Sequence, residues 1–166
     1  MNIFTGIEST ELFGGTGSPA VEDILTSVRG GSNDQVGAAL WTAVLTHPQC
    51  LPPYYLLYRF HANRGELRDA KGVALRALSA AALQASIDTD WRLVQPNDTD
   101  FTIPGPARFW LITLKALAFI NARLGDEAAA RKLITKLHKL DPTDCIGLDV
   151  VNTLLQSNAR TDDIFP

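Results

Sequence analysis

The feature that most constrains this fold is a glycine followed by a polar residue, which recurs before three amphipathic patterns. The three pairs are Gly31-Ser32, Gly65-Glu66 and Gly125-Asp126. The first two glycines are separated by about 34 residues, a period typical of chains that stack copies of one supersecondary unit. The spacing therefore predicts a repeat architecture rather than a single unrepeated core.

Apolar residues at helical spacing follow each of these turns. The stripes are Val36, Ala39, Leu40, Ala43 and Val44; then Leu67, Ala70, Ala74 and Ala77; then Ala130, Leu133, Ile134 and Leu137. Residues spaced at i, i+3, i+4 and i+7 share one face of an α-helix, and the alternation typical of strands is scarce. An all-α fold is predicted, with Asn33 as the candidate N-cap of the first of these helices.

The unit 111–144 carries the fullest set of positions for a helix-turn-helix repeat. They are Leu114, Leu117-Ala118, the turn Gly125-Asp126, the small crossing residue Ala130, the packing residue Ile134 and the closing Pro142. These positions resemble the tetratricopeptide repeat, a pair of helices of about 34 residues. The unit 51–84 matches it at Tyr54, Leu57, Gly65, Ala70 and Ala77, and the unit 17–50 at Gly31, Leu40, Ala43 and Pro48.

The resemblance implies a right-handed superhelix of antiparallel helix pairs, with three repeats in one domain. Around the repeats we expect an amino-terminal arm (1–16), an insertion (85–110), a capping helix (145–157) and a tail (158–166). The third unit departs from the period because the insertion separates it from the second. His61 and Asn121 also depart, since they stand where the family typically has tyrosine.

Composition excludes several classes of function. A formal net charge of -3 gives no broad basic field for nucleic acid. No apolar run escapes charge for a membrane span, and the opening "MNIFTGIESTELFGG" carries acids without the basic region of a secretory signal. Cys50 and Cys145 have no metal-ligand spacing. We expect a cytoplasmic protein without membrane, nucleic acid, metal or cofactor.

Catalytic motifs are absent from the sequence. It has no GxSxG, no phosphate-binding P-loop and no HExxH, and "FGGTGSP" is interpreted as a flexible joint after the arm. The three histidines are scattered, with His61 at a core position of its repeat and His47 and His138 near helix ends. The chain is therefore predicted not to be an enzyme.

The resemblance also implies which residues of the first helices face the concave surface. The predicted peptide-binding residues are Arg29, Tyr55, Arg59, Asn63, Lys115, Phe119 and Arg123, accompanied by Val21, Leu25, Val28 and Ile112. Arginines pair with carboxylates and rings anchor apolar side chains, so an acidic protein or peptide with apolar anchors is the expected partner. The alternative is that these are ordinary solvated charges and core rings.

Two charged regions outside that surface receive their own interpretations. Arg131, Lys132, Lys136 and Lys139 are predicted to form a solvated face. The insertion, with Asp88, Asp90, Asp98 and Asp100 beside apolar residues, is hypothesised to dock across the basic groove as an internal pseudo-ligand. The carboxylate clamp of chaperone-tail binders is missing, because Val21, Leu25 and Leu56 occupy its positions.

The predicted function is a non-catalytic adaptor or chaperone-like module. Its size and layout are also similar to small bacterial secretion chaperones. One alternative is an enzyme, or the regulatory subunit of one, with the insertion as an active-site lid. Another is a self-assembling protein, a homo-oligomer in which "NIFTGIESTELF" or "DDIFP" docks into a neighbouring groove.

Overall fold

The computed structural model describes residues 18–143 and 147–162 of the chain. These ranges hold seven α-helices: α1 Pro19–Ser27, α2 Asn33–Thr46, α3 Leu51–Asn63, α4 Leu67–Ala85, α5 Pro106–Arg123, α6 Glu127–Leu140 and α7 Asp149–Asp162. No strand occurs in this part of the chain. The prediction of an all-α fold is confirmed.

The helices pack in chain order from α1 to α6. Short turns join α3 to α4 and α5 to α6, so the two helices of each pair run antiparallel. Contacts also join α3 to α5 and α5 to α7, skipping one helix each time. The helices α3, α5 and α7 therefore form one row, with α4 packed against both α3 and α5.

The pairs α3–α4 and α5–α6 have the same turn. The Gly65 amide donates to the Ala62 carbonyl and the Gly125 amide to the Ala122 carbonyl, each at 3.1 Å. Both glycines have positive φ, +77° and +83° respectively. This left-handed end lets the chain satisfy the last carbonyls of the first helix and reverse within three residues. A residue of α3–α4 and a residue of α5–α6 occupy the same position in their pairs when they are as far apart in sequence as Gly65 and Gly125. We call two such residues equivalent.

The first pair, α1–α2, has a different turn. It spans five residues, and Gly30, not Gly31, takes positive φ. The predicted N-cap Asn33 is wrong, because Ser32 caps α2 through a reciprocal capping box with Gln35. Gln35 stands three residues after Ser32, where its side chain can accept from the Ser32 amide at 2.9 Å.

The predicted insertion 85–110 is too long, because α4 continues to Ala85 and α5 already begins at Pro106. The insertion in the structure is the irregular segment 86–105. Val94 and Phe101 bury their side chains in the core. Aspartates organise the loop: Asp88 Oδ1 accepts from the Asp90 amide at 2.8 Å, and Asp98 Oδ2 accepts from the Gln95 amide at 2.7 Å. Such local side-chain bonds replace helix hydrogen bonds in a tight loop.

Helix α6 fixes this insertion from outside. Lys136 Nζ donates to the carbonyls of Arg92 and Val94, each at 2.7 Å, and Lys139 Nζ donates to Gln95 Oε1 at 3.0 Å. Burial lowers the pKa of Lys136 below its usual value. The expectation of a uniformly solvated basic face is therefore wrong at Lys136, which is half-buried and holds two backbone carbonyls.

None of the helices in the described ranges is long and apolar enough to cross a membrane.

Candidate functional site

A cavity of about 290 Å³ lies between α3, α5 and α7. Its lining residues come from all three helices: Tyr55, Tyr58, Arg59, Ile112, Lys115, Ala116, Phe119, Val150 and Val151. Four of the predicted binding residues, Tyr55, Arg59, Lys115 and Phe119, thus meet around one space. We call this space the pocket.

Helical spacing and the equivalence of the two pairs explain why these four side chains converge. Tyr55 and Arg59 lie one turn apart on α3, and Lys115 and Phe119 lie one turn apart on α5, so each pair shares a helix face. Tyr55 is equivalent to Lys115, and Arg59 is equivalent to Phe119. Each helix therefore supplies one ring and one cation, in opposite order along its axis.

The arginine on α3 is held in place before any ligand arrives. Arg59 Nη1 donates to Tyr55 Oη at 2.9 Å, and its guanidinium carbon lies 5.0 Å from the centroid of the Tyr55 ring. The Tyr55 ring in turn packs edge-on against Tyr58, with centroids 5.6 Å apart. An arginine fixed against a ring loses less conformational freedom on binding than one that moves freely in water.

Among the described residues, the floor of the pocket carries no charge. Tyr58 is buried, and its hydroxyl lies 3.5 Å from Thr113 Oγ1 of α5. Burial raises the pKa of the Tyr58 hydroxyl far above its usual value, so it stays neutral. At the mouth, Val150 of α7 is 64% exposed and offers apolar surface. The charges of Arg59 and Lys115 therefore flank a neutral, largely apolar space.

Three predicted residues lie outside the pocket lining. Arg29 is exposed in the turn after α1, and Asn63 is exposed at the end of α3. Arg123 is also exposed, but it joins the ends of the two helices: its Nη1 donates to the Ala62 carbonyl at 3.2 Å, and its guanidinium lies 5.7 Å from the Phe119 ring. Val21, expected on the concave surface, is buried instead.

The sequence prediction omitted Tyr58, Ala116 and the two valines of α7. Tyr58 stands where the repeat family typically has a small residue. Val150 and Val151 contribute because α7 packs on α5, a contact that no local pattern reveals. The only sequence feature that pointed to these two valines was their place as apolar residues on the first turn of the predicted capping helix.

A second polar cluster lies at the end of α3, around His61. Trp41 Nε1 donates to His61 Nε2 at 3.1 Å, so that nitrogen must be the unprotonated acceptor. His61 Nδ1 then carries the hydrogen and donates to Glu66 Oε2 at 2.6 Å. Hydrogen bonds from His61 and then from Arg64 hold the pKa of Glu66 below its usual value.

This cluster has the composition of a metal site but the hydrogen bonding of a structural one. Ligand atoms of His61, Glu66 and Asp69 lie within 4.8 Å of one another. A metal ion at Nδ1 would need a lone pair on that nitrogen. Because Nε2 accepts the Trp41 hydrogen bond, Nδ1 carries the ring hydrogen and has no lone pair to offer. The buried His61 therefore acts as the link between α2, α3 and the following turn.

Comparisons with protein-family models, with curated proteins and with solved structures found no match.

Proposed function

We propose that this chain is a tetratricopeptide-like, non-catalytic and cytoplasmic protein-binding module whose pocket takes an acidic peptide segment with an apolar anchor. The observation that carries the proposal is the convergence of Tyr55, Arg59, Lys115 and Phe119 around one cavity. Two rings and two cations from equivalent positions of successive helix pairs offer one peptide both apolar contact and charge.

The placement of the helices supports the repeat part of this proposal. The second helices α2, α4 and α6 begin at Asn33, Leu67 and Glu127. The first interval matches a repeat period of about 34 residues, and the second is longer because it contains the insertion. The first helices α3 and α5, followed by α7, form the row from which a repeat protein of this kind presents its binding surface. The pocket lies within that row.

The size and lining of the pocket favour a side chain over a large ligand. Small-molecule pockets commonly enclose about 300–1,000 Å³, and this cavity, at about 290 Å³, falls at the lower limit. One aromatic or large aliphatic side chain would fill much of it. Carboxylates on either side of that anchor would then meet Arg59, which can pair with a carboxylate through two parallel hydrogen bonds, and Lys115.

The lining also favours binding over catalysis. Among the described residues around the pocket there is no carboxylate, imidazole, thiol or serine hydroxyl. Lysine and tyrosine can also transfer protons, but hydrolytic and transfer enzymes usually pair a nucleophile with a carboxylate or imidazole base. The cations of this pocket can attract and orient a peptide without reacting with it.

The test uses fluorescently labelled synthetic peptides in which a phenylalanine stands between pairs of glutamates. The wild-type chain should bind such a peptide, and the double variant Arg59→Glu/Lys115→Glu should bind it at least tenfold more weakly in fluorescence anisotropy. A peptide with lysines in place of the glutamates should not bind the wild type.

The matched control is Arg131→Glu/Lys132→Glu, which makes the same charge change at two exposed residues of α6. This control should bind the acidic peptide as the wild type does. Equal binding by the wild type and by the pocket variant, with both folded by circular dichroism, would refute the proposed site.

A further inference from the structure

Three stretches of this chain have the composition that the pocket favours, with acidic residues beside large apolar ones. They are the insertion 86–105, the segment 162–165 and the segment 2–13. The insertion is held elsewhere, because Lys136 of α6 binds two of its backbone carbonyls, Lys139 binds its Gln95 side chain, and Val94 and Phe101 enter the core. The hypothesis that it docks across the groove is thus wrong, since it supplies none of the described pocket residues.

The segment 162–165 is separated from the pocket by most of α7. Helix α7 contacts the pocket at Val150 and Val151 and continues to Asp162. Eleven helical residues carry the chain about 16 Å away, at about 1.5 Å per residue.

The segment 2–13, which we call the arm, has both the chemistry and the reach. It carries Glu8 and Glu11, has no Lys, Arg or His, and contains the large apolar residues Ile3, Phe4, Ile7, Leu12 and Phe13. Gly14, Gly15 and Gly17 separate it from α1. An acidic segment with several apolar anchors complements a pocket flanked by Arg59 and Lys115.

The distance from α1 to the pocket is within this reach. Helix α1 packs on α2, and α2 packs on α3. Two packing steps of about 8–10 Å each, plus about 12 Å along α3, put the pocket roughly 30 Å from the start of α1. An extended chain can carry Ile7 about 36 Å from Ser18, and Phe4 further still.

We propose that the arm binds in the pocket of its own chain and competes there with an external acidic peptide. This inference rests on the proposed function, because it names an internal occupant for the same site. An apolar arm residue fills the space between Tyr55 and Phe119, and the glutamates face Arg59 and Lys115. A partner must displace the arm, so its apparent affinity equals the intrinsic affinity multiplied by the fraction of chains in which the pocket is free.

The first experiment locates the arm by photocrosslinking in the full chain. Phe119→p-benzoylphenylalanine places a photoreactive ring at the pocket, and the same residue in place of the 66% exposed Leu83 on α4 is the control. After irradiation, mass spectrometry should find the Phe119 probe joined to residues 2–13 and the Leu83 probe not joined to them. Equal crosslinking of the arm from both positions would overturn the proposal.

Mixing isotope-labelled and unlabelled chains separates a single chain from an assembly. Arm docking within one chain gives crosslinks in which both peptides carry the same label, at every protein concentration. Crosslinks that join a labelled to an unlabelled peptide would show that the arm enters a neighbouring molecule, and this would overturn the proposal of an internal occupant.

The second experiment measures competition with a labelled synthetic peptide of residues 2–13. The full-length variant Glu8→Lys/Glu11→Lys should bind this peptide at least tenfold more tightly than the wild type, because its own arm no longer competes. Adding Arg59→Glu/Lys115→Glu to that variant should abolish the gain. If the wild type and the arm variant bind the peptide equally, the arm is not a competitor.

The two proposals fail in different ways. Binding of the glutamate-phenylalanine peptides that depends on Arg59 and Lys115, without binding of the arm peptide, overturns the arm proposal and leaves the proposed function standing. Failure of every acidic peptide to bind, in the wild type and in the arm variant, overturns the proposed function itself.

Discussion

The helix pairs α3–α4 and α5–α6 are two versions of one structure, and their differences show which features the fold requires and which it leaves open. Equivalent core residues have nearly the same burial: Leu57 and Leu117 are both buried, as are Ala70 and Ala130 where the helices cross. The pocket face differs, because a ring in one pair is replaced by a cation in the other. The core thus fixes the backbone, and the exposed stripe is free to carry the binding chemistry.

The buried polar position also differs between the pairs. His61 satisfies both ring nitrogens, through Trp41 and Glu66. Its counterpart Asn121 is buried with its side-chain oxygen unpaired among the described residues. The amides of the next turn nevertheless bond to the carbonyls of these two residues at the same distance, 2.9 Å. The shared turn therefore depends on the backbone, not on the side chain that the position carries.

Removing a core leucine should have the largest effect and should test whether the two pairs are equivalent. Leu57→Ala and Leu117→Ala each delete a buried side chain that packs within a pair. Each variant should lose about 2–5 kcal/mol of unfolding free energy, because the lost burial and the remaining cavity both count. Urea denaturation followed by circular dichroism measures the loss. A normal stability for one variant beside a large loss for the other would show that the pairs do not share one core.

Substituting the buried polar residue should change the unfolding free energy differently in the two pairs, by an intermediate amount. His61→Leu leaves the Trp41 N–H without its acceptor, so we expect a loss of about 1–3 kcal/mol. Asn121→Leu removes an unpaired buried oxygen and should be nearly neutral or stabilising. The same urea experiment compares the two variants. Equal losses would mean that Asn121 forms a stabilising bond comparable to those of His61.

Substituting either of the two turn glycines should destabilise the chain by the same, smaller amount. A Cβ at Gly65 or Gly125 would meet no other atom within 4 Å, so only the positive φ opposes a side chain. Gly65→Ala and Gly125→Ala should therefore cost equal amounts, about 1 kcal/mol each. Gly72→Ala in α4 is the control, because its Cβ also meets nothing and alanine favours a helix by about 0.5–1 kcal/mol. Thermal unfolding should place Gly72→Ala above the wild type and both turn variants below it.

The sequence predicted the parts of the structure that depend on apolar periodicity among residues close together in the chain. Turns at Gly65 and Gly125 and the buried stripes of α4 and α6 depend on residues within one helix pair. The pattern was less informative for the first pair, where the turn has five residues, positive φ falls at Gly30 and α1 already ends at Ser27. Arg29 consequently lies in a turn and not on the helix face that the register implied.

Contacts between distant residues set the remainder, and no local pattern encodes them. Arg76 and Lys136 are equivalent, yet Arg76 lies over the Trp41 ring at 5.9 Å while Lys136 holds two carbonyls of the insertion. The same position thus acquires its role from whatever segment lies beside it. The pocket also combines the two kinds of information. Helical register predicted four of its residues, whereas Val150 and Val151 line it because α7 packs on α5.

The smallest expected effect is a pH dependence that belongs to the first of the two pairs. The pKa of Glu66 is lowered by the hydrogen bonds from His61 and Arg64, so the folded chain binds the proton less readily than the unfolded chain does. Its stabilising contribution is therefore complete above the ordinary glutamate pKa of 4.5 and is lost as the pH falls below that value through the lowered pKa. Glu66 lies at the protein surface, so the change should be modest. Stability measured in urea from pH 7 to pH 3 should fall less steeply for Glu66→Gln than for the wild type, and parallel curves would show that the carboxylate gains nothing from its two partners.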